Sequence, residues 1–217
     1  MLLATVVGSG IMGERLAGGN VGIALMANAI ATGPALVAII LTFGPISGAH
    51  LNPVVTLADA SQRGTQWAVV MAYIVVQVIA AIGGVVLANV MFGAPAIEWS
   101  THVRSGPTQL LSEFVATFGL LSIIWGTARS RPAAVPFAVG AYIVAAYWFT
   151  PSTSFANPAV TIARAFTNTF AGIRPVDVAP FIGAQLAGAA AATALFRWLI
   201  PALPAPAADV VVPHGGV

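Results

Sequence analysis

Two asparagines, Asn52 and Asn157, each precede a proline and open the same short phrase. Asn52-Pro53-Val54-Val55-Thr56-Leu57-Ala58-Asp59-Ala60 aligns with Asn157-Pro158-Ala159-Val160-Thr161-Ile162-Ala163-Arg164-Ala165, with six of nine positions identical at an offset of 105 residues. An asparagine side chain caps a helix by accepting a backbone N–H on its oxygen, and proline suits the first helical position because the N–H it lacks has no partner there. Capping leaves the side-chain NH2 of each asparagine as a donor, beside the partial positive charge of a helix N-terminus. Two such ends brought together repel a cation and offer hydrogen bonds to a neutral oxygen atom.

The rest of the chain must bring them together, and its composition sets the solvent in which it does so. Only 6% of the 217 residues are charged, against roughly 25% in soluble domains, and the mean hydropathy is +0.94. A water-compatible surface cannot be made from this, so the chain belongs in a bilayer. All eight basic residues are arginine and the net charge is +2, too small an excess to argue for a nucleic-acid partner. There is no cysteine, which excludes disulfide and thiolate chemistry.

Apolar runs at about 1–12, 21–43, 66–92, 109–128, 133–150 and 178–200 read as six spans, most near the ~20 residues needed to cross ~30 Å of hydrocarbon. The first run is short. Set against the fourth, which starts Ser112-Glu113-Phe114-Val115, it lacks its opening turns, and a cleavable signal peptide is disfavoured by the missing positive lead-in. The expectation is that Met1 is an internal or misassigned start. The phrases at 52–61 and 157–168 are too short to span and must be re-entrant half-helices, with Ser47-Gly48-Ala49-His50 and Ser152-Thr153-Ser154 dipping into a cavity. Three spans and one half-helix per repeat turn the second repeat upside down, so the half-helices enter from opposite faces and meet at the midplane.

With Ser47-Gly48-Ala49-His50-Leu51-Asn52-Pro53 in one half and Asn157-Pro158-Ala159 in the other, the chain resembles the aquaporin, or major intrinsic protein, family over essentially its whole length to about residue 200. The resemblance implies an all-α membrane protein: a right-handed bundle of six transmembrane helices plus two re-entrant half-helices, arranged as an inverted repeat of about 1–92 and 108–200 within one channel domain, 1–200. It implies a homotetramer in the inner (plasma) membrane, both termini cytoplasmic, and passive conduction of water or small uncharged solutes, with no cofactor. The tail 201–217, rich in proline and alanine, reads as disordered. Arg63, Arg129, Arg131 and Arg197 fall on the expected inner side, while Arg15, Arg104 and Arg174 on the outer side are offset by Glu14, Glu98 and Asp177, in weak agreement with that orientation.

The resemblance also defines where this chain departs. The constriction motifs are Asn52-Pro53-Val54 and Asn157-Pro158-Ala159, the first with its small third residue enlarged. Family members usually follow the second with arginine, which lines a narrow outer filter; here that position is Val160. Family spacing places the other filter positions at Thr32, where water-selective members carry phenylalanine, at Ser154, and at Ala145 or Ala146. The resulting set is wider, less polar and uncharged, which points to neutral solutes larger than water: glycerol, urea or undissociated acids of arsenic or antimony. Proton exclusion would rest on the midplane dipoles alone. A water-selective channel is the alternative.

Arg164, one turn beyond Val160, leans back toward the helix N-terminus and either hangs over the outer filter or caps loop carbonyls. Glu113, by the resemblance, binds re-entrant backbone rather than relaying protons. His50 is expected to bond loop carbonyls and, with His102 and His214 remote, is not a metal ligand. Gln77 and Gln185 occupy corresponding places in the third and sixth spans and join helices or carbonyls. Gly83-Gly84, Gly183, Ala187 and Gly188 permit close helix approach. A secondary transporter would show similar repeats but needs coupling carboxylates, and only Glu113 qualifies. An ion channel would need a ring of charge, and an enzyme a converging nucleophile and base; neither is visible.

Overall fold

The computed structural model describes residues 1–200, and these are all helix and loop. In chain order the helices are α1 (Leu2–Leu16), α2 (Val21–Ser47), α3 (Pro53–Ser61), α4 (Trp67–Met91), α5 (Pro107–Ser130), α6 (Val135–Phe149), α7 (Pro158–Ala163) and α8 (Pro175–Leu199). A 3-10 turn, Pro132–Ala134, leads into α6, and another, Arg164–Phe166, follows α7. The tail 201–217, expected to be disordered, lies outside the described residues.

Five segments are long and apolar enough to cross a membrane: Val21–Ser47, Trp67–Met91, Pro107–Ser130, Pro132–Phe149 and Pro175–Leu199. The sixth expected span, α1, has 15 residues and at 1.5 Å per residue extends ~22 Å, short of the hydrocarbon thickness. Polar and apolar surfaces are distributed in the reverse of a water-soluble protein. Met71, Val76 and Ile79 on α4 and Met26 and Ile30 on α2 face outward, while Asn28, Asn89, Glu113, Thr117 and Gln185 are buried. A bilayer rewards this pattern, because interior polar groups find protein partners and the outer face meets lipid.

The packing repeats between the halves. First and third spans pack together in each, α1 against α4 and α5 against α8, and the second spans of the two halves meet as α2 against α6. These approaches rest on glycine. A Cβ on Gly33 of α2 would lie 2.8 Å from Gly140 O of α6, and one on Gly140 would lie 2.7 Å from Gly33 O, so the two backbones touch. Gly188 of α8 sits as tightly against Phe114 O of α5, and Gly84 of α4 meets Leu3 and Ala4 of α1; Gly83 and Gly183, also expected to serve close contacts, face open space.

The half-helices are unequal. α3 has nine residues, close to expectation, but α7 has only six before tightening into the 3-10 turn. Gly48, in the left-handed region at φ 70°, terminates α2, so the first re-entrant descent is confined to 48–52.

Candidate functional site

Each half-helix begins as cap chemistry dictates. Asn52 Oδ1 accepts from Val54 N at 3.1 Å; Asn157 Oδ1 accepts from Ala159 N at 3.0 Å and Val160 N at 3.3 Å. The NH2 groups are not wholly free, as the cap alone implied. Asn52 Nδ2 donates to Ala156 O and Asn157 Nδ2 to Leu51 O, both at 2.8 Å. Each asparagine therefore clamps the carbonyl just before the other, and of the two hydrogens on each amide one remains for the cavity.

The reciprocal clamp requires the two carbonyls to be turned out of line. Leu51 has φ 54° and Ala156 φ 47°, and two residues earlier Ala49 has φ 42° and Ser154 φ 50°. Left-handed conformations cost about 1–3 kcal/mol at such non-glycine residues and persist only where the surroundings impose them. In the second half that support is Glu113, fully buried, whose Oε1 accepts from Phe155 N and Oε2 from Ala156 N, both at 2.9 Å.

Behind the caps the halves again correspond. Thr161 Oγ1 donates to Asn157 O and accepts from Gln185 Nε2 at 2.8 Å, and Gln185 Nε2 also donates to Glu113 Oε2 at 2.7 Å. Thr56 Oγ1 donates to Asn52 O and accepts from Gln77 Nε2 at 2.9 Å. The glutamines thus join α4 to α3 and α8 to α7 through threonine hydroxyls. His50 joins the first-half set at Thr56. Its Nδ1 lies 3.1 Å from Thr56 Oγ1, which already donates to Asn52 O, so Nδ1 carries the proton; its Nε2 lies 3.6 Å from Asp59 Oδ2. No cluster of three or more metal-ligating side chains occurs among the described residues.

A cavity runs past the paired asparagines. It has about 60 Å³, room for roughly four waters at the ~15 Å³ each that an enclosed water needs. Ile40, His50, Val55 and Ile124 line one side of Asn52 and Asn157; Thr32, Tyr147, Ser154, Phe155, Val160 and Arg164 line the other. Pro53, Val54, Pro158 and Ala159 are buried behind the caps and do not reach the cavity wall.

Among the expected filter positions, Thr32, Ser154 and Val160 converge on this far side. Thr32 Oγ1 donates to Asn28 O at 2.8 Å and lies 3.4 Å from the Tyr147 hydroxyl. Ser154 Oγ is buried without a hydrogen-bond partner. Ala145 and Ala146 are displaced from the role expected of them. Ala145 is exposed on the outer flank of α6 and Ala146 is packed in the interior, while Val139, Ile143 and Tyr147 form the lining stripe. The Gly33–Gly140 contact fixes the rotation of α6 that produces this. The i, i+4, i+8 spacing of the three residues was the available sequence signal for Tyr147.

Arg164 meets both a loop carbonyl and the cavity. It is 2% exposed, Nε donates to Ala171 O, and the guanidinium lies 3.4 Å from the centroid of the Phe155 ring while lining the cavity. Arg104, from the loop before α5, reaches the same ring at 5.0 Å and donates to Gly172 O at 2.8 Å, Ser152 O at 3.1 Å and Phe170 O at 3.4 Å. Burial pulls the Arg104 guanidinium down to about 10, with Glu113 and Tyr147 acting in the opposite sense, so it remains charged at neutral pH. Nothing in the sequence around Arg104 or Phe155 marked either residue for this place.

The chain matches the model of the family described as Major intrinsic protein over residues 1–150. It is 52% identical over 205 residues to Aquaglyceroporin AqpS of Rhizobium meliloti (strain 1021), covering 94% of this chain and 88% of that protein. It is 34% identical to Aquaporin NIP1-4 of Oryza sativa subsp. japonica over 168 residues, 72% of this chain and 60% of the relative. Nodulin-26 of Glycine max is 32% identical over 169 residues, 74% of this chain and 62% of its own; the chain thus spans about three fifths of these plant relatives' length. Capped half-helices meeting head to head, a cavity past them, and likeness over nearly the whole chain agree: the chain belongs to the major intrinsic protein family of membrane channels.

Proposed function

We propose that the chain forms a passive pore for water and for small uncharged solutes of glycerol size, including urea and undissociated metalloid acids such as arsenous acid. The observation that carries this reading is the make-up of the cavity wall. Asn52, Asn157, Thr32, Tyr147 and Ser154 offer amide and hydroxyl groups, and no carboxylate lines it. A coupled transporter needs a titratable carboxylate on the solute path, and Glu113 instead spends both oxygens on loop N–H groups. With valine at 160, the far side is bordered by Thr32, Ser154, Val160 and Tyr147 beside Phe155 and Arg164, and position 160 contributes no guanidinium to narrow it. The name of the relative in Rhizobium meliloti, an aquaglyceroporin, supports the same class of solute.

The reading extends to the assembly. Residues 1–200 act as one channel domain of two oppositely oriented repeats, four copies associate in the inner membrane, and both chain ends face the cytoplasm. Supporting the orientation, Arg197 donates to Ser61 O at the open end of α3, and Arg129 ends α5 on the same side. The test is purified protein in liposomes. Stopped-flow light scattering is expected to show accelerated shrinkage in an impermeant osmolyte, then accelerated re-swelling in glycerol and in urea. Water flux with glycerol and urea entry at the rate of empty liposomes would establish the water-selective alternative; solute entry that requires an ion gradient would establish transport.

A further inference from the structure

The far side of the pore carries a fixed positive charge that the residue at 160 does not predict. Val160 and Arg164 line the same cavity, and four residues separate them along the chain, ~6 Å of rise. Arg164 is held by three independent contacts: Nε to Ala171 O, the guanidinium face on Phe155, and its own carbonyl accepting from Ile173 N at 3.3 Å. Among the described residues no carboxylate lies in ion-pair contact with it: the ion pairs there are His50–Asp59 and Arg174–Asp177, both elsewhere. Arg104 brings a second guanidinium to 5.0 Å from the centroid of the same ring. Its donors are spent on three loop carbonyls, so it stiffens the wall that Arg164 lies against, whereas Arg164 gives a single hydrogen bond to the protein and turns its remaining edge to the cavity.

We infer that Arg164 is a specificity-determining residue of this pore: it excludes cations at the far mouth, one helical turn from where a filter charge would otherwise sit, and so acts in series with the asparagine pair. The inference rests on the neutral-solute pore proposed above and adds a charge-selecting station to it. Two unit charges ~6 Å apart at an effective dielectric constant of ~20 interact by an amount equal to roughly a hundredfold in population. Asn157 is seven residues from Arg164, ~10 Å along the chain, where the same charge still contributes roughly tenfold. The station therefore raises the barrier at the midplane as well as its own.

The test is the ratio of sodium to water permeability in liposomes holding the full chain. Arg164→Gln keeps a planar donor for Ala171 O and for the Phe155 face while removing the charge. It is expected to raise the ratio between about tenfold and about a hundredfold, and Arg164→Lys to hold it within about threefold of native. Arg164→His makes the comparison within one protein, since the imidazole is charged at low pH and neutral at high pH. His102, Arg104, Tyr147 and Glu113 lie around it, and the native protein at the same pH values controls for them. Its sodium-to-water ratio is expected to climb as pH rises, with the change displaced to the acid side of the ordinary histidine range of about 6.5 by burial and by Arg104. A native-like ratio for Arg164→Gln, or a native-like ratio for Arg164→His at about pH 8, where the imidazole is neutral, should Gln not form a pore, overturns the inference. Native protein that passes no neutral solute fails the underlying reading instead, and the two failures are distinct.

Discussion

Replacing Glu113 by glutamine exchanges one acceptor oxygen for an NH2 and changes nothing in volume, so it isolates what the buried carboxylate does. In the native protein its oxygens accept from Phe155 N, Ala156 N and Gln185 Nε2 at 2.9, 2.9 and 2.7 Å. Hydrogen bonds to a charged group contribute about 1.5–3 kcal/mol each. Glutamine supplies one oxygen, so one of the two loop N–H groups faces an NH2 and is left buried without an acceptor, while the surviving bonds lose their charge assistance. The expected loss is about 3 kcal/mol, or ~6–12 °C in thermal midpoint for a chain of this size. The damage should be local first. Two donors converge on Oε2, so the glutamine oxygen stays there and Phe155 N loses its acceptor; the next residue, Ala156, holds a left-handed turn and presents the carbonyl that Asn52 Nδ2 grips, so loosening this loop disturbs the midplane before the bundle melts. Thermal unfolding in detergent followed by tryptophan fluorescence, with solute flux in liposomes alongside, reads both effects. A midpoint shift under ~2 °C with native flux would refute the role assigned to Glu113.

Two further outcomes follow from geometry and charge. Gly33→Ala places a Cβ 2.8 Å from the Gly140 carbonyl, whereas Gly83→Ala meets nothing within 4 Å; overpacking should cost the first about 2 kcal/mol and the second nothing measurable, and paired thermal melts check the contrast. His102, in the loop before α5, is held below the usual histidine range first by burial, then by Arg104 and Arg164. Because its folded-state affinity for a proton is lower than that of the unfolded chain, native stability is unaffected well above pH ~6.5 and falls as pH drops below it. His102→Asn should therefore lose less of its thermal midpoint than native protein between about pH 7.5 and about pH 5, and equal losses would contradict the placement.

Much of this was legible because it is local. Asn-Pro fixes a cap and a helix start wherever it occurs, and its recurrence at one offset fixes the pairing of Thr56 with Thr161 and of Leu51 with Ala156. The cross-clamp between the two asparagines was not, since it depends on left-handed turns that no residue type there demands. Tyr147, rather than Ala145 or Ala146, reaches the cavity because helix rotation is set by backbone contact across Gly33 and Gly140, two residues that sequence spacing alone does not pair. The six-residue length of α7 likewise follows from Arg164 anchoring to Ala171 O and ending the regular helix. Arg104 comes from a loop whose course is a tertiary matter, so its meeting with Phe155 had no sequence trace.

On the reading proposed above, the far-side opening, with valine at 160, admits neutral solutes larger than water. Val160→Arg tests it most directly, because Val160 borders the cavity beside Thr32, Tyr147 and Ser154 and a guanidinium there fills the space those residues leave. Stopped-flow entry of water, glycerol and arsenous acid is measured for the native protein and the variant in the same liposomes. Native protein is expected to pass all three, and the arginine to suppress glycerol and arsenous acid before it slows water. Equal slowing of all three solutes, or native protein that passes water alone, would contradict it.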